Sequence, residues 1–484
     1  MFIATPYSFT VGQVSAEIPD DVLLEIFSFY VEAEAGDVNA DDMNGWHTLV
    51  HVCQSWRHVV FASPRRLNLR LLCTNRRPVK EMLDIWPMNL PIIIRYNSSP
   101  LFPAKGADNI IAALEHRDRV CEIALWGVSS SLSERFAAMT REPFPALTSL
   151  LLGSNNEWAP TIPDSFLAGS APRLRRLWLV NTPFPALRKL LMSTSDLVHL
   201  DLLNIPYSAY ISPETMVTCL SGMPGIQTLN FKFLSSRSRP DPMRQRPPVL
   251  TRTVLPALTL LGFQGASEYL EDFVAQINTP LLTTLSVTFL GLVFHIPQLC
   301  QFIGCAEKLK PSNRATVGFY VAIVCFKFVP SSGFELAIKC DNCPGQVSSM
   351  AVVCRELSPL LTRVERLELL GRPALRPVWQ DITDPMEWQE LFYPFIAVQS
   401  LHVSKKLGPL IAPALQALTG ERVTEVLPRL LYIFYEGFRP SGPVHEATKP
   451  FVTARQQSSL PVAVLRWVRE LDMYSEFGDW DVDD

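Results

Sequence analysis

Cys340, Cys343 and Cys354 come nearer than any other residues in this chain to a metal-binding spacing. Cys340-Asp341-Asn342-Cys343 has the two-residue gap of half a zinc site, in which two thiolates on one turn grip the same ion. A closed structural site needs four ligands, usually with a second close pair, and no second pair follows. These thiols are therefore expected to be reduced and structural. His47, His51 and His58 fall at i, i+4 and i+11, one face of a helix if residues 47 to 64 form a single one. A cation there would need a further ligand, and the face is expected to be solvated instead. The chain has no GxxxxGK phosphate cradle, HExxH pair, GxSxG elbow or acidic calcium loop. Its eight His residues are scattered, and none sits in a Ser/Asp constellation. No catalytic residue, metal or cofactor is assigned, and a non-catalytic protein is expected.

Composition narrows the class further. Apolar residues make up 48% of the 484 and charged residues 19%, the balance of a folded chain that buries a core. A net charge of −4 and a pI near 6.1 argue against nucleic acid or an anionic membrane as partner. Residues 1–15 lack the basic start and apolar run of a signal peptide. The strongest apolar stretch, 281–294, is too short to cross a bilayer and contains Thr and Ser. Ten cysteines spread through apolar segments, without a secretion signal, suit reduced thiols in the cytoplasm, the nucleus or both.

The elements that would position a function fall into two groups. Near the N-terminus, Pro19 opens a helix whose first turn carries Asp20 and Asp21, where negative charge is favoured. Leu23, Ile26, Phe27 and Tyr30 then recur at helical spacing. Leu49, Val52, Cys53, Trp56 and Val60 make a second stripe, with Pro64 just past its end. So small a helical pair can bury little internally, which makes a partner surface reasonable; a helical hairpin that caps a larger domain is the alternative. Between them, residues 32–45 read as a solvated acidic loop.

After residue 90 an apolar-x-x-apolar-x-apolar unit recurs. It appears as Val120-Ile123-Leu125, Leu147-Leu150-Leu152, Leu174-Leu177-Leu179 and Leu197-Leu200-Leu202. It continues as Ile226-Leu229-Phe231, Leu258-Leu261-Phe263 and Leu282-Leu285-Val287, then Val364-Leu367-Leu369, Val398-Leu401-Val403 and Leu430-Ile433-Tyr435. The early units start 27, 27, 23, 29, 32 and 24 residues apart. That is close to the ~20–29-residue period of leucine-rich repeats. A proline before many of the units reads as the start of a strand. Helix-like pieces at Ser133–Met139, Ser212–Leu220, Glu268–Ile277 and Gln298–Phe302 alternate with them. The expected fold is α/β: a leucine-rich-repeat-like solenoid with a parallel sheet on its inner face, behind an N-terminal helical module. An ordinary α/β domain with proline-led strands remains the alternative. The repeat lapses over 305–360, where GFYVAIVCF and FELAIKC suggest irregular strands. A Pro/Arg-rich loop is expected at 235–252.

Two resemblances follow from these residues. The Ile18-Pro19 opening and the later Val52-Cys53-x-x-Trp56-Arg57 resemble an F-box, the helical hook that joins a protein to the Skp-type adaptor of a cullin ubiquitin ligase. The segments LNLRLLCTNRRPVKEMLDIWP, LPIII, DNIIAALEHRDRV, SAPRLRRLWL, AYISPETMVTCLS, IAPALQAL and VTEVLPRL resemble a large family of fungal F-box proteins. The organisation implied is a flexible 1–15, an F-box-like 16–75, a repeat body over 76–472 and an acidic tail, 473–484. The function implied is substrate recognition for an SCF-type ligase. Ile18, Pro19, Leu23, Ile26, Phe27, Val52 and Trp56 would serve the adaptor. A repeat-built interaction scaffold without ligase role is the alternative. Within each strand, the residues flanking the central apolar position should leave the core face. That rule nominates Trp126, Arg176, Trp178, His199, Asp201, Asn230, Lys232, Arg366, Glu368 and His402 to meet a protein substrate.

Overall fold

The computed structural model describes residues 18–34, 45–76, 78–97, 106–127, 130–154, 161–235, 251–291, 295–329, 333–340, 345–371, 384–418, 420 and 422–468. The first fifteen residues, most of the acidic connector, most of the Pro/Arg-rich segment, Cys343 and the acidic tail lie outside these. The chain divides into two compact units, Met1–Leu202 and Leu203–Asp484.

The first unit opens with α1 (Asp20–Glu34), α2 (Gly45–Val52) and α3 (Gln54–Ala62). Pro19 stands just before α1, and its carbonyl accepts from Leu23 N at 3.0 Å, so the ring costs no helical hydrogen bond. The second apolar stripe is not one helix. Cys53 adopts an extended backbone (φ −157°, ψ 171°) and its Sγ accepts from Trp56 N at 3.4 Å, capping α3 where α2 has ended. His47 and His51 consequently belong to α2 and His58 to α3, so the expected three-histidine face does not form. Leu23, Phe27, Leu49, Val50, Val59 and Val60 fill the space between the three helices together with Trp46 and Leu90. Trp46 also donates from Nε1 to the Arg70 carbonyl at 3.2 Å, tying the helices to the strands that follow.

Those strands are β1 (Leu71–Thr74), β2 (Ile92–Asn97), β3 (Val120–Trp126), β4 (Ser149–Gly153), β5 (Arg176–Val180) and β6 (His199–Ile205). They lie side by side in chain order, and β1 to β5 pair in parallel. The register aligns Ile123 with Leu150 and Leu177, a buried ladder on one side of the sheet. Each such side chain contributes roughly 1.5–3 kcal/mol by leaving water.

The second unit continues with β7 (Thr228–Phe233), β8 (Thr253–Val254), β9 (Leu260–Gly265), β10 (Ile277–Asn278) and β11 (Thr284–Leu290). β7, β9 and β11 are parallel neighbours, while β8 and β10 form a separate short pair. That pair ends the expected helix over Glu268–Ile277 early: the helix is Ser267–Val274, and Gln276 O accepts from Thr253 N at 2.8 Å. Three strands then break the repeat: β12 (Arg314–Phe319), β13 (Ile323–Val329) and β14 (Phe334–Lys339). They form an antiparallel meander, with β14 beside β11 and β12 on the far side. β15 (Arg366–Gly371), β16 (Ser400–Val403), β17 (Tyr432–Glu436) and β18 (Ala463–Trp467) resume parallel pairing from β12 outward. Among the described strand pairings only those of β13 are antiparallel, so the sheet is mostly and not wholly parallel.

The prolines play a different part from the one read in the sequence. Leu147, Leu174, Ile226, Leu258, Leu282 and Leu430 each donate N–H to the carbonyl three residues earlier, at 3.0–3.3 Å. Pro145, Pro172, Pro224, Pro256, Pro280 and Pro428 therefore occupy the second position of a four-residue turn, two or more residues ahead of the strand. The ring presets φ for that position and no N–H is required there. In these six units the first apolar residue is the turn's last residue, swung inward as the chain enters the strand. Asn181 and Asn204 both take φ 52°, a left-handed conformation that Asn tolerates better than most residues.

Candidate interaction surfaces

The helices α1 to α3 sort the seven F-box nominees by direction. Leu23 and Phe27 point into the shared core and are fully buried. Ile18 and Trp56 are half-buried against it, with the Trp56 ring 4.8 Å from that of Phe27. Pro19, Ile26 and Val52 face outward, the last two 50% and 58% exposed. Val22, Phe29 and Tyr30 are also exposed, although the sequence reading singled out none of the first two. Val22, Ile26 and Tyr30 follow one another at i, i+4 and i+8, a single line along α1. Tyr30 Oη and Thr48 Oγ1 are hydrogen-bonded at 3.1 Å, and Val52 lies one turn beyond Thr48 on α2. The bond brings the two outward stripes to one side of the helical module. An amphipathic pattern shows where the apolar residues are; which of two adjacent stripes a neighbour takes depends on how α1 packs, as Leu23 and Ile26 show.

On the sheet of the first unit, the residues facing away from the core ladder carry the nominated Trp126, Arg176 and Trp178. Register sets Trp126 opposite Gly153, and a Cβ on Gly153 would overlap the indole's six-membered ring. Glycine thus lets Trp126 lie flat across the neighbouring strand. Trp178 and Arg176 are exposed, while His199 and Asp201 are half-buried on β6. Glu122, one step before Ala124 on this face, has Arg70 Nη1 at 3.7 Å and Arg95 Nη2 at 3.8 Å.

The second unit holds the other five. Asn230 and Lys232 sit half-buried on β7, with the Asn230 amide over Gly262, where a Cβ would collide with its Oδ1. Five strands separate β7 from β15, so Asn230 and Arg366 are about 29 Å apart at ~4.8 Å per strand. They do not form one site. Arg366, Glu368 and His402 do. Register places Glu368 beside His402, and Thr316 on its other side. Arg366 Nη2 and Arg314 Nη2 reach the same Glu368 oxygen, at 2.8 and 2.7 Å. Glu368 and His402 were expected to stand free of the surface; they are 4% and 5% exposed. Their cover is lateral. The guanidiniums close over the carboxylate, and the imidazole lies flat on Phe434 at 4.4 Å with Trp467 edge-on at 5.2 Å. Burial, then the positive charge of Arg366 and Arg314, holds His402 down to a pKa of about 3, so its ring is neutral at physiological pH.

Sequence reasoning missed Arg314, because β12 carries no repeat unit. It also missed Tyr432 and Phe434, although they flank Ile433 in a recognised unit and the same flanking rule reaches them. Cys354 is fully buried and Cys340 half-buried. Burial alone pushes the Cys354 thiol up, which disfavours the thiolate a metal would need. Among the described residues, no group of three or more His, Cys, Asp or Glu is arranged to hold a metal ion. No helix among them is long and apolar enough to cross a membrane.

No protein-family model and no curated protein matches the chain. Among solved structures, it is similar to the leucine-rich repeat-containing protein LegL7 from Legionella pneumophila, at 12% identity. The match covers 79% of this chain and 97% of that one with a TM-score of 0.26, too low a superposition to carry an argument.

Proposed function

We propose that this chain is a substrate-recognition adaptor of an SCF-type cullin ubiquitin ligase. Its helical module docks on a Skp-type adaptor, and the open face of its repeat sheet holds a protein substrate. The observation that carries the reading is the line Val22, Ile26, Tyr30 on α1 continued by Val52 on α2, apolar and exposed beside a filled core. Such a face is stabilised by a partner at about 25 cal/mol per Å² removed from water. The chain's own contribution is positioning: it raises the effective concentration of a substrate lysine near an enzyme carried by the rest of the assembly.

The test is capture of purified Skp-type adaptor by the full chain and by an Ile26→Asp/Val52→Asp variant. Both residues point away from the core, so the variant should keep its circular dichroism spectrum and melting midpoint. Loss of adaptor binding with folding intact is expected. Equal binding by the variant would overturn the docking face. A chain that never captures adaptor or cullin core, yet holds protein partners through its sheet, is a leucine-rich-repeat interaction scaffold instead.

A further inference from the structure

The last strands of the second unit carry a strip of the open face whose chemistry differs from the rest. At one end, two guanidiniums share one carboxylate: Arg314 and Arg366 both donate to Glu368 Oε1. His402 beside them is neutral, so the cluster holds one positive charge in excess, on a chain whose net charge is −4. Both arginine side chains keep about a third of their surface in water, at 33% and 38%. The donors on that exposed third are thus placed to meet an anion, whereas Arg314 Nε is buried and is not one of them. At the other end, register aligns His402 with Phe434 and Leu465, three strands in a row. Tyr432, on the same face of β17 as Phe434, is exposed, as is Leu465. Trp467, also on this face, is tucked against His402 and supports the shelf from the side. A cationic end and an apolar shelf are fixed by one rigid sheet.

We infer that this strip docks an extended segment of the protein substrate, one that carries an acidic side chain at one position and a large apolar side chain four residues later. The spacing follows from the sheet. From Arg366 on β15 to the shelf on β17 and β18 is two to three strands, about 10–14 Å. An extended segment lying across the strands advances about 3.4 Å per residue and presents alternate residues to the same side. Four residues cover about 14 Å and return the side chain to the sheet, whereas three would point it away. The acid takes the free donors of Arg314 and Arg366, and the apolar side chain covers Tyr432 and Leu465. Charge complementarity selects an acidic segment over a basic one, which would meet uncompensated guanidinium. The inference rests on the reading that the open face binds protein, and it assigns that role to β12 and β15–β18.

The experiment uses the full chain and short fluorescein-labelled Gly/Ser peptides with a Glu followed four residues later by a Trp. Fluorescence anisotropy should show binding that weakens as salt rises. Exchanging Glu for Lys, or Trp for Ser, should weaken it by at least about tenfold, ~1.4 kcal/mol. Moving the Trp one residue closer should do the same. Arg366→Gln leaves Arg314 paired with Glu368 and removes the excess charge together with the bonds that Arg366 gives that carboxylate. It should weaken the Glu peptide about tenfold and leave a Gln-substituted peptide unaffected. Tyr432→Ser/Leu465→Ser changes exposed positions and should abolish the preference for Trp over Ser. Equal binding of the Glu and Lys peptides, or affinities indifferent to these variants, overturns the inference. So does sedimentation showing that the strip pairs with a second copy of the chain and excludes the peptides. Adaptor capture by the Ile26→Asp/Val52→Asp variant is read separately, so failure of the ligase reading and failure of the peptide strip give different results.

Discussion

The imidazole of His402 lies flat on the ring of Phe434, centroids 4.4 Å apart and planes 11° from parallel. Burial first, then the two nearby guanidiniums of Arg366 and Arg314, disfavour its protonated form, and its pKa falls from 6.5 to about 3. The sign follows directly. The unfolded chain binds a proton at this residue below pH 6.5 and the folded one does not, so the stabilisation is complete above 6.5 and lost as pH falls toward 3. Between pH 7.5 and pH 5 the loss attributable to this group is about 2 kcal/mol. Urea unfolding of wild type and His402→Leu at the two pH values should show a smaller decline in the variant. Equal declines would mean that His402 is not held neutral by this environment. Carboxylates elsewhere titrate in both proteins and cancel in the comparison.

Arg455 predicts the behaviour of the C-terminal coils. It lies in the helix Pro443–Gln457 with no exposed surface, and its Nη1 donates to Val423 O at 3.0 Å. Its Nη2 donates to Pro428 O at 3.3 Å and Leu430 O at 3.1 Å. Its partners are backbone carbonyls of the short helix Arg422–Glu425 and of the turn that leads into β17. Arg455→Ala removes their donors and leaves a cavity, and should cost about 3–5 kcal/mol. Lysine can replace one donor direction but not the fork, so Arg455→Lys should fall between. Hydrogen exchange over Tyr432–Glu436 should accelerate in the same order, since local opening is where such a loss appears first.

Glu271 acts as a cap supplied from a neighbouring helix. Its two carboxylate oxygens accept from Gln298 N at 2.9 Å and Leu299 N at 2.8 Å, at the start of the helix Pro297–Cys305. Burial raises its pKa despite those bonds. The folded protein therefore holds this proton more tightly than the unfolded chain. The group's contribution is greatest at low pH and declines as pH rises from the unfolded value through the folded one. Glu271→Ala should cost about 1–3 kcal/mol by orphaning two N–H groups. Glu271→Gln keeps an acceptor without the buried charge and should cost less at pH 7, a ranking that thermal melts can check.

How much of this was readable beforehand differs between the residues just discussed. The last two apolar positions of each of the ten repeat units lie in strands, because alternation over so short a run is a local property and survives any packing. The meander was not readable. β12 to β14 are short apolar runs like the others, and only long-range pairing decides that β14 and not β12 adjoins β11. Arg314 was hidden with it. Glu368 and His402 lie on the face opposite the core ladder, yet their burial depends on lateral neighbours one or two strands away, which no local pattern records. The turn prolines were conspicuous but misplaced, since a turn and a strand start both tolerate a missing N–H. Their contribution can be measured: Pro224→Ala and Pro256→Ala should each lower stability by about 0.4–1 kcal/mol, mostly by loosening the unfolded chain.

Trp126 and Gly153 test whether the open face is built to present aromatic rings. A methyl group on Gly153 would overlap the indole, so Gly153→Ala must either push Trp126 off the neighbouring strand or shift β4 itself. Either way it should cost about 1–3 kcal/mol, the usual penalty of overpacking. If the collision with Trp126 is the cause, the penalty should vanish in a Trp126→Ala background, where the same methyl group fills vacated space. A double-mutant cycle measured by chemical denaturation isolates that coupling from the general effect of losing a glycine in a strand. An unchanged penalty in the Trp126→Ala background would place the cost in the backbone. Substrate binding by the same pair then separates two uses of the ring. A partner that needs Trp126 in its flat position loses affinity with Gly153→Ala alone, whereas one that avoids this part of the face is indifferent to both changes.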